Sequence, residues 1–378
     1  MTNSGNSKNI LFVEPEFPIA AKSKNHSNFL PIGLLKLASY YRKRGHSVTL
    51  HRGNYAASFS PDQIMVTSLF TYWSNYVRDT VYFYKKLYPK AEIIVGGIYA
   101  TLMPVHCKTY SGCDKVFIGQ HKSAEKCYPA YDLIDVNYQI IHGMRGCTRT
   151  CSFCGIWRLE KKSFKNSKQI QKEIKSNKVI FYDNNFLANP DIENILTMLS
   201  VHKHDNKVIQ CDSQSGIDGR ILEDKPYLAS MLKKARFKEI RIAWDFGFDQ
   251  YKRVENWINI LKSVGYNHRN IFAFMIYNWN FDYDQMELKR NKCLEWNIQI
   301  ADCRYRPLNA TYDHYNGNIL NQTNDEYFIH QNWTDFEVKQ FRRNVRQHNI
   351  CIRYKIPWSR YSRCLETKFA RNNINKGA

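Results

Sequence analysis

Strand-like apolar runs alternate with amphipathic helical stretches along most of this chain, and the alternation stops once and starts again. In the first set the runs are Ile10 to Val13, Val48 to Leu50, Ile64 to Leu69, Ile93 to Gly97 and Val116 to Ile118. Between them, FLPIGLLKLASYYRKRG carries an apolar face of Leu30, Leu34, Leu35, Leu37 and Ala38 and stops at Gly45, and YWSNYVRDTVYFYKKLYP stops near Pro89. Parallel strands need helical crossovers of this length, so the spacing predicts an α/β fold with an N-terminal Rossmann-like doubly wound sheet over 1–130.

After a Tyr-rich join, YPAYDLIDVNY, the alternation resumes with Gln139 to His142, Val179 to Tyr182, Val208 to Cys211, Ile240 to Ala243, Ile271 to Ile276 and Ile298 to Ala301. From the second run onward each is followed by polar groups: Asp183, Asn184 and Asn185; Asp212, Ser213 and Gln214; Asp245; Tyr277 and Asn278; Asp302 and Arg304. The carboxyl ends of barrel strands form an active-site rim, so this pattern predicts a working mouth. Six strand-helix units are too few for a closed eight-stranded barrel, and a partial (β/α)6 barrel over 136–306 is expected, open to a bulky substrate. A basic, aromatic C-terminal extension covers 307–378.

A hydrophobic fraction of 43% excludes global disorder. The chain has no apolar run of about 18 residues and no apolar core near its first residues, so a soluble, cytoplasmic protein with no membrane association is expected. Eleven Cys, an odd number with three tightly clustered, argue against a disulfide framework and for metal or redox chemistry. The 55 Lys and Arg against 34 Asp and Glu leave a net charge of +21, a balance that favours polyanions.

The clustered cysteines lie in GMRGCTRTCSFCGIW, with Cys147, Cys151 and Cys154 shortly after the first strand of the second set. Three thiolates on one short loop can each bind one iron of a cubane and leave the fourth iron open. Structural zinc usually takes two close pairs of ligands, and no second pair is near. The CxxxCxxC spacing, with Phe153 before the last Cys, resembles the signature of the radical S-adenosylmethionine superfamily, and its place after a first barrel strand matches too. The resemblance spans most of the chain and implies that Cys147, Cys151 and Cys154 hold a [4Fe-4S] cluster. It implies that the unique iron chelates the amino and carboxylate groups of S-adenosylmethionine, which a reducing electron cleaves to methionine and a 5′-deoxyadenosyl radical.

The family's Gly-Gly-Glu stretch at the end of the second barrel strand is replaced here by VIFYDNN, so the resemblance makes Asp183 the acceptor for the methionine ammonium, with Asn184 beside it, or Asn184 and Asn185 capping the next helix. CDSQSGIDGR offers Ser213, Gln214, Asp218 and Arg220 to a ribose or carboxylate, or forms an ordinary strand-to-helix turn. Trp244 and Asp245, with Tyr277 and Asn278, fall where the family contacts ribose and adenine. The catalytic residue is not legible.

The N-terminal domain resembles the cobalamin-binding subgroup of that superfamily through EPEFP, LPIGLLKLASYYRKRGHSV and IIVGGIYATLMP, whose Gly96 and Gly97 would let backbone approach a flat cofactor. The Asp-x-His-x-x-Gly motif is absent, and His26, His46 and His51 do not fit its spacing. Cobalamin bound without that histidine and a domain kept as a scaffold both stay open. With cobalamin, methyl transfer to carbon is the leading chemistry.

The other cysteines, Cys107, Cys113, Cys127, Cys211, Cys293, Cys303, Cys351 and Cys364, read as buried small hydrophobes or as ligands of an auxiliary cluster, with Cys303 the foremost candidate. From Asp335 onward 11 Lys and Arg face 3 Asp and Glu. Arg342, Arg343 and Arg346 with Tyr354, Trp358 and Tyr361 form either a solvated helix or a surface that tracks a nucleic-acid backbone. Expected partners are an electron donor such as a flavodoxin or ferredoxin and a substrate of nucleic-acid type. The alternatives are a cobalamin-independent radical modification of a nucleic acid and a non-catalytic, zinc-containing nucleic-acid binder.

Overall fold

The run ILFV places four consecutive apolar side chains on one strand, which is stable only where both faces of a sheet are covered. In the computed structural model, which describes residues 7–19 and 30–359, this run lies in β1 (Asn9–Glu14), and Ile10, Leu11, Phe12 and Val13 are all fully buried. Leu11 and Val13 pack into one cluster, with Val77 and Val81 of α2 (Ser74–Leu87). Ile10 and Phe12 pack into another, with Leu34 and Ala38 of α1 (Ile32–Arg42). Helices therefore cover opposite faces, as a doubly wound sheet requires.

The sheet is parallel throughout, in the order β2-β1-β3-β4-β5, with β2 Ser47–Arg52, β3 Gln63–Ser68, β4 Glu92–Gly97 and β5 Lys115–Val116. This is the flavodoxin-like order of doubly wound folds, a detail that strand spacing does not encode. By contacts the chain divides into two compact units. The first comprises Met1–Ile140, Arg145–Ser163 and Arg306–His314, and the second Ile141–Met144, Phe164–Tyr305 and Tyr315–Ala378. The cysteine segment thus packs with the N-terminal sheet.

β6 (Gln139–Ile141) ends at the second unit's start. Within that unit, β7 (Lys178–Phe181) pairs in parallel with β8 (Gln210–Ser213), and Tyr182 N donates to the carbonyl of Ile141 at 3.0 Å. A second ladder holds β9 (Ile240–Ala243), β10 (Ile271–Tyr277) and β11 (Gln299–Arg304), also parallel. Isolated bridges, Cys211 to Phe237 and Ile217 to Ile242, link the two ladders. The expected strands are present, but hydrogen bonding breaks between β8 and β9.

Gly219 sits at this break against the ring of Trp257, where any Cβ would collide with the indole. Trp257 lies on α3 (Tyr251–Ser263), which buries Val254, Ile258 and Leu261 in the same core. α4 (Tyr283–Glu295) follows β10.

The edge strand β11 is sealed by α5 (Asp335–Tyr354). A capping box of Thr334 and Glu337 starts this helix, and Val338, Phe341 and Val345 bury its apolar stripe. The Asn349 amide then mimics a neighbouring strand, donating to the Ile300 carbonyl and accepting from the Ile300 N–H, both at 2.8 Å. An exposed sheet edge is a template for unwanted pairing, so this contact closes it. Among the described residues no helix is long and apolar enough to cross a membrane.

Candidate functional site

The turn that precedes the cysteine loop is fixed by a fully buried acid. Asp183, just after β7, accepts from Gly143 N at 3.0 Å and from Met144 N, while Asn189 donates to the Gly143 carbonyl at 2.9 Å and Lys165 N donates to it at 2.8 Å. Both carboxylate oxygens therefore face backbone amides three and four residues ahead of Cys147. This gives the acid expected to meet an ammonium group a backbone-anchoring position.

The first unit carries the loop itself. Arg145 donates to Glu160 Oε1 at 2.7 Å and to both oxygens of Glu125 at 3.1 Å, and Lys36 donates to Glu125 at 2.7 Å. Gly146 N donates to Glu160 Oε2 at 3.0 Å. Burial opposes ionisation of Glu125, yet Arg145 and Lys36 hold its carboxyl below the ordinary value. Gly146 has φ +68°, and a Cβ there would press on the Lys161–Lys162 backbone, so the turn into the loop requires glycine.

Cys147, Cys151 and Cys154 are all half-buried, with Cys154 N donating to the Cys151 carbonyl at 3.0 Å and Arg149 N donating to Cys147 Sγ at 3.4 Å. Among the described residues no three His, Cys, Asp or Glu side chains converge as a single-ion site. In a cubane each thiolate binds its own iron and the thiols need not meet at one point. Three soft donors on one short loop fit such a cluster by donor chemistry.

In the second unit the strand-end candidates separate by burial. Asn184, Gln214 and Asp245 are half-buried and reach solvent. Ser213 is buried, its Oγ donating to the Ser215 carbonyl at 3.3 Å. Trp244 packs in the core 5.5 Å from Trp296 by ring centroids, and Tyr277 is buried against Phe341. Asn278, in the left-handed region at φ +58°, donates to the Phe328 carbonyl at 2.8 Å and accepts from His330 N at 2.9 Å, tying down the segment that follows β11. Asp218 caps its helix and pairs with Arg220 at 2.7 Å.

The sheet's alternation explains this sorting. Along β10, Ile271, Ala273, Met275 and Tyr277 are buried, whereas Phe272, Phe274 and Ile276 on the other face are only half-covered. Registers put Arg241, Ala243, Ala301 and Cys303 on that second face. Arg241 is its polar centre, donating to the Ser213 carbonyl at 2.6 Å and to Glu239 at 2.8 Å, with Asp212 at 3.3 Å. Burial pushes the Asp212 carboxyl up, and Arg241 partly offsets this. Cys303 is exposed, whereas Cys107, Cys113, Cys211, Cys293 and Cys351 are buried and Cys127 is half-buried; Cys364 lies outside the described residues.

Sequence reasoning missed Lys289. It is 1% exposed on α4, with Nζ 4.3 Å from the Phe281 centroid and 5.4 Å from that of Trp244. Burial lowers its pKa to about 8, opposed by Asp245, while burial raises that of Asp245 to about 6, opposed by Lys289. The signal was present in Met286, Lys289, Arg290 and Cys293, whose helical spacing makes one inward face.

The N-terminal glycines serve packing. Gly97 has φ +104° and a Cβ would strike the Ser68 carbonyl, while a Cβ on Gly96 would sit 3.6 Å from that of Phe117. His46 accepts from Lys8 N at 3.1 Å, and His51 is buried 3.2 Å from the Tyr84 hydroxyl; His26 lies outside the described residues. His106 and His121 bond to Tyr99 and to the Ala124 amide. These residues do not fit an imidazole-ligated corrinoid.

No protein-family profile matches the chain, and no curated protein matches it in sequence. Among solved structures, the chain is similar to Streptococcus suis SuiB bound to S-adenosylmethionine, at 16% identity and a TM-score of 0.32, over 47% of this chain and 41% of that one. The matched part thus spans less than half of the SuiB chain.

Proposed function

We propose that this chain is a radical S-adenosylmethionine enzyme. The observation that carries the reading is the set of three half-buried thiols, Cys147, Cys151 and Cys154, on one short loop that follows a turn pinned by the buried Asp183 carboxylate. These three thiolates would hold a [4Fe-4S] cluster, which, once reduced by an external electron donor, would supply the electron for cleavage of S-adenosylmethionine to methionine and a 5′-deoxyadenosyl radical.

The chain's own part is binding and orientation. Within the second unit Asp183 anchors the amides of Gly143 and Met144, and within the first the Glu125–Arg145–Glu160 network holds the turn that leads into the loop. Asn184, Gln214 and Asp245, accessible at strand ends, are the groups available to a ribose or to the methionine carboxylate and ammonium. The half-covered face of Phe272, Phe274 and Ile276 excludes water from one side of whatever binds above it. An acidic electron donor, such as a flavodoxin or ferredoxin, suits the +21 chain. The N-terminal sheet acts here as a scaffold for the loop.

The test is to replace Cys147, Cys151 and Cys154 together by Ala and compare anaerobically reconstituted proteins. Wild type should be brown and release 5′-deoxyadenosine when reduced with S-adenosylmethionine, and the variant should do neither. A variant that still releases 5′-deoxyadenosine refutes the reading, as does a colourless wild type whose loop holds zinc.

A further inference from the structure

The carboxyl ends of β1 and β2 and the side of α2 enclose a cavity of about 420 Å³, wholly within the first unit. The loop 16–19 after β1 forms one wall, Asn54 after β2 a second, and Tyr76, Asp79 and Thr80 of α2 a third. Small-molecule sites run to roughly 300–1,000 Å³, so the volume suits one. The strand order reverses at β1, and α1 and α2 lie on opposite faces of the sheet, which opens a crevice at this end.

The walls are fixed by their own contacts. Fully buried Thr80 donates from Oγ1 to Asn54 Oδ1 at 2.9 Å, and the Tyr84 hydroxyl donates to the Tyr55 carbonyl at 3.1 Å, so the loop that carries Asn54 is tied to α2. Phe17 is stacked on Trp73, 5.3 Å between ring centroids, and stands edge-on to Tyr76 at 6.3 Å.

The chemistry of these walls rejects anions. Phosphate sites at this end of a doubly wound sheet present backbone amides on a glycine-rich turn. Here the turn reads EPEFPI. Pro15 and Pro18 have no N–H, and the N–H groups of Phe17 and Ile19 donate to the Pro15 and Phe17 carbonyls, both at 2.7 Å. No Lys or Arg lines the cavity, although the chain carries 55 of them in 378 residues. Its charged lining groups are two carboxylates. Asp79 is paired with Arg78 at 2.7 Å, whereas Glu16 is exposed and has no ion pair among the described residues. On α5, by comparison, Arg342 is met by Asp302 at 3.0 Å, and of the aromatics expected beside it Trp358 lies 4.3 Å from Arg290 and Tyr361 lies outside the described residues.

We propose that this cavity binds a small organic cation, a primary ammonium on an apolar body, with the ammonium at Glu16 and the body against Phe17 and Tyr76. One unpaired carboxylate matches one positive charge, and the aromatic wall attracts both the cation and the body. The net charge of +21 repels cations from the chain at large, so it is the local acid that selects one here.

The inference does not rest on the thiol loop, and its test needs neither a cluster nor S-adenosylmethionine. Phenethylamine and phenylacetate, matched in shape and opposite in charge, are titrated into the full chain and followed by ligand-observed NMR. Wild type should bind about one equivalent of phenethylamine with millimolar or tighter affinity, and phenylacetate at least about tenfold more weakly. E16Q should weaken phenethylamine at least about threefold with an unchanged melting temperature, the scale of one solvent-exposed ion pair. D205N, which removes an exposed carboxylate from a hairpin turn of the other unit, should leave binding unchanged. Absent binding, equal binding of the two probes, or indifference to E16Q overturns the proposal. So does tighter binding to K22Q/K24Q, since the chain's own lysines beyond Ile19 would then be what the cavity holds.

Discussion

Replacing Asp183 by Asn tests whether the turn before the cysteine loop is held by charge. The carboxylate accepts from two buried amides, Gly143 N and Met144 N. In the variant one oxygen becomes an amide nitrogen that faces an N–H, so one charge-assisted bond is lost and a buried donor is stranded, a cost of about 2–4 kcal/mol. The Gly143 carbonyl stays tied to Asn189 and to Lys165 N, so the loss is local. At about 1.4 kcal/mol per tenfold change, local opening of these amides should become about 30- to 1,000-fold more populated. Hydrogen–deuterium exchange of a peptide spanning 141–147 reads this directly, with β3 of the other unit as the internal control. Protection that falls less than about threefold at Gly143 and Met144 refutes the argument. Equal loss in β3 refutes it too, since the acid would then support stability at large.

Lys289→Met should stabilise the second unit at pH 7, because a pKa lowered from 10.5 to about 8 corresponds to at most ~3 kcal/mol. The unfolded lysine binds more protons than the folded one between about pH 8 and 10.5, so wild-type stability rises with pH there and most of its deficit against the variant should be gone by pH 10; urea midpoints at both pH values check this. Asn349→Ala removes both hydrogen bonds to Ile300 and should cost about 1–3 kcal/mol, with faster amide exchange confined to β11 and the start of α5.

Strand positions were legible because parallel strands with covered faces must be apolar at consecutive positions, and ILFV, IIVGG and IFAFMIY leave no other reading. The strand order was not, since β1 pairs with β2 and β3 through crossovers that composition does not mark. The three cysteines were visible because metal-ligand spacing is local. Glu125, Arg145 and Glu160 were invisible because their meeting is tertiary: in sequence they are ordinary surface charges. Tyr277 and Asn278 show the converse. They stand at the end of a strand, as cofactor contacts do, but pleat parity turns Tyr277 into the helix-covered core, and the backbone of the following segment takes up the Asn278 amide.

The two faces of β10 carry the same kind of residue and differ in what covers them. Its seven residues are all apolar, so from sequence the strand should be buried on both sides. On one side this holds: Ile271, Met275 and Tyr277 are fully covered by a core that includes α4 and α5 residues. On the other, Phe272, Phe274 and Ile276 keep part of their surface in contact with water. Complete burial of such a side chain contributes about 1.5–3 kcal/mol, so leaving three of them partly exposed forgoes a few kcal/mol. That is a large share of the roughly 5–15 kcal/mol that holds a domain together. Filling the face with larger side chains would recover it, and Ala243 and Ala301, the register neighbours of Phe274, are instead small. A central strand flanked by alanines keeps this apolar face only half-covered, and under the proposed function a flat, partly apolar ligand bound against it would gain the burial that the chain has left unused.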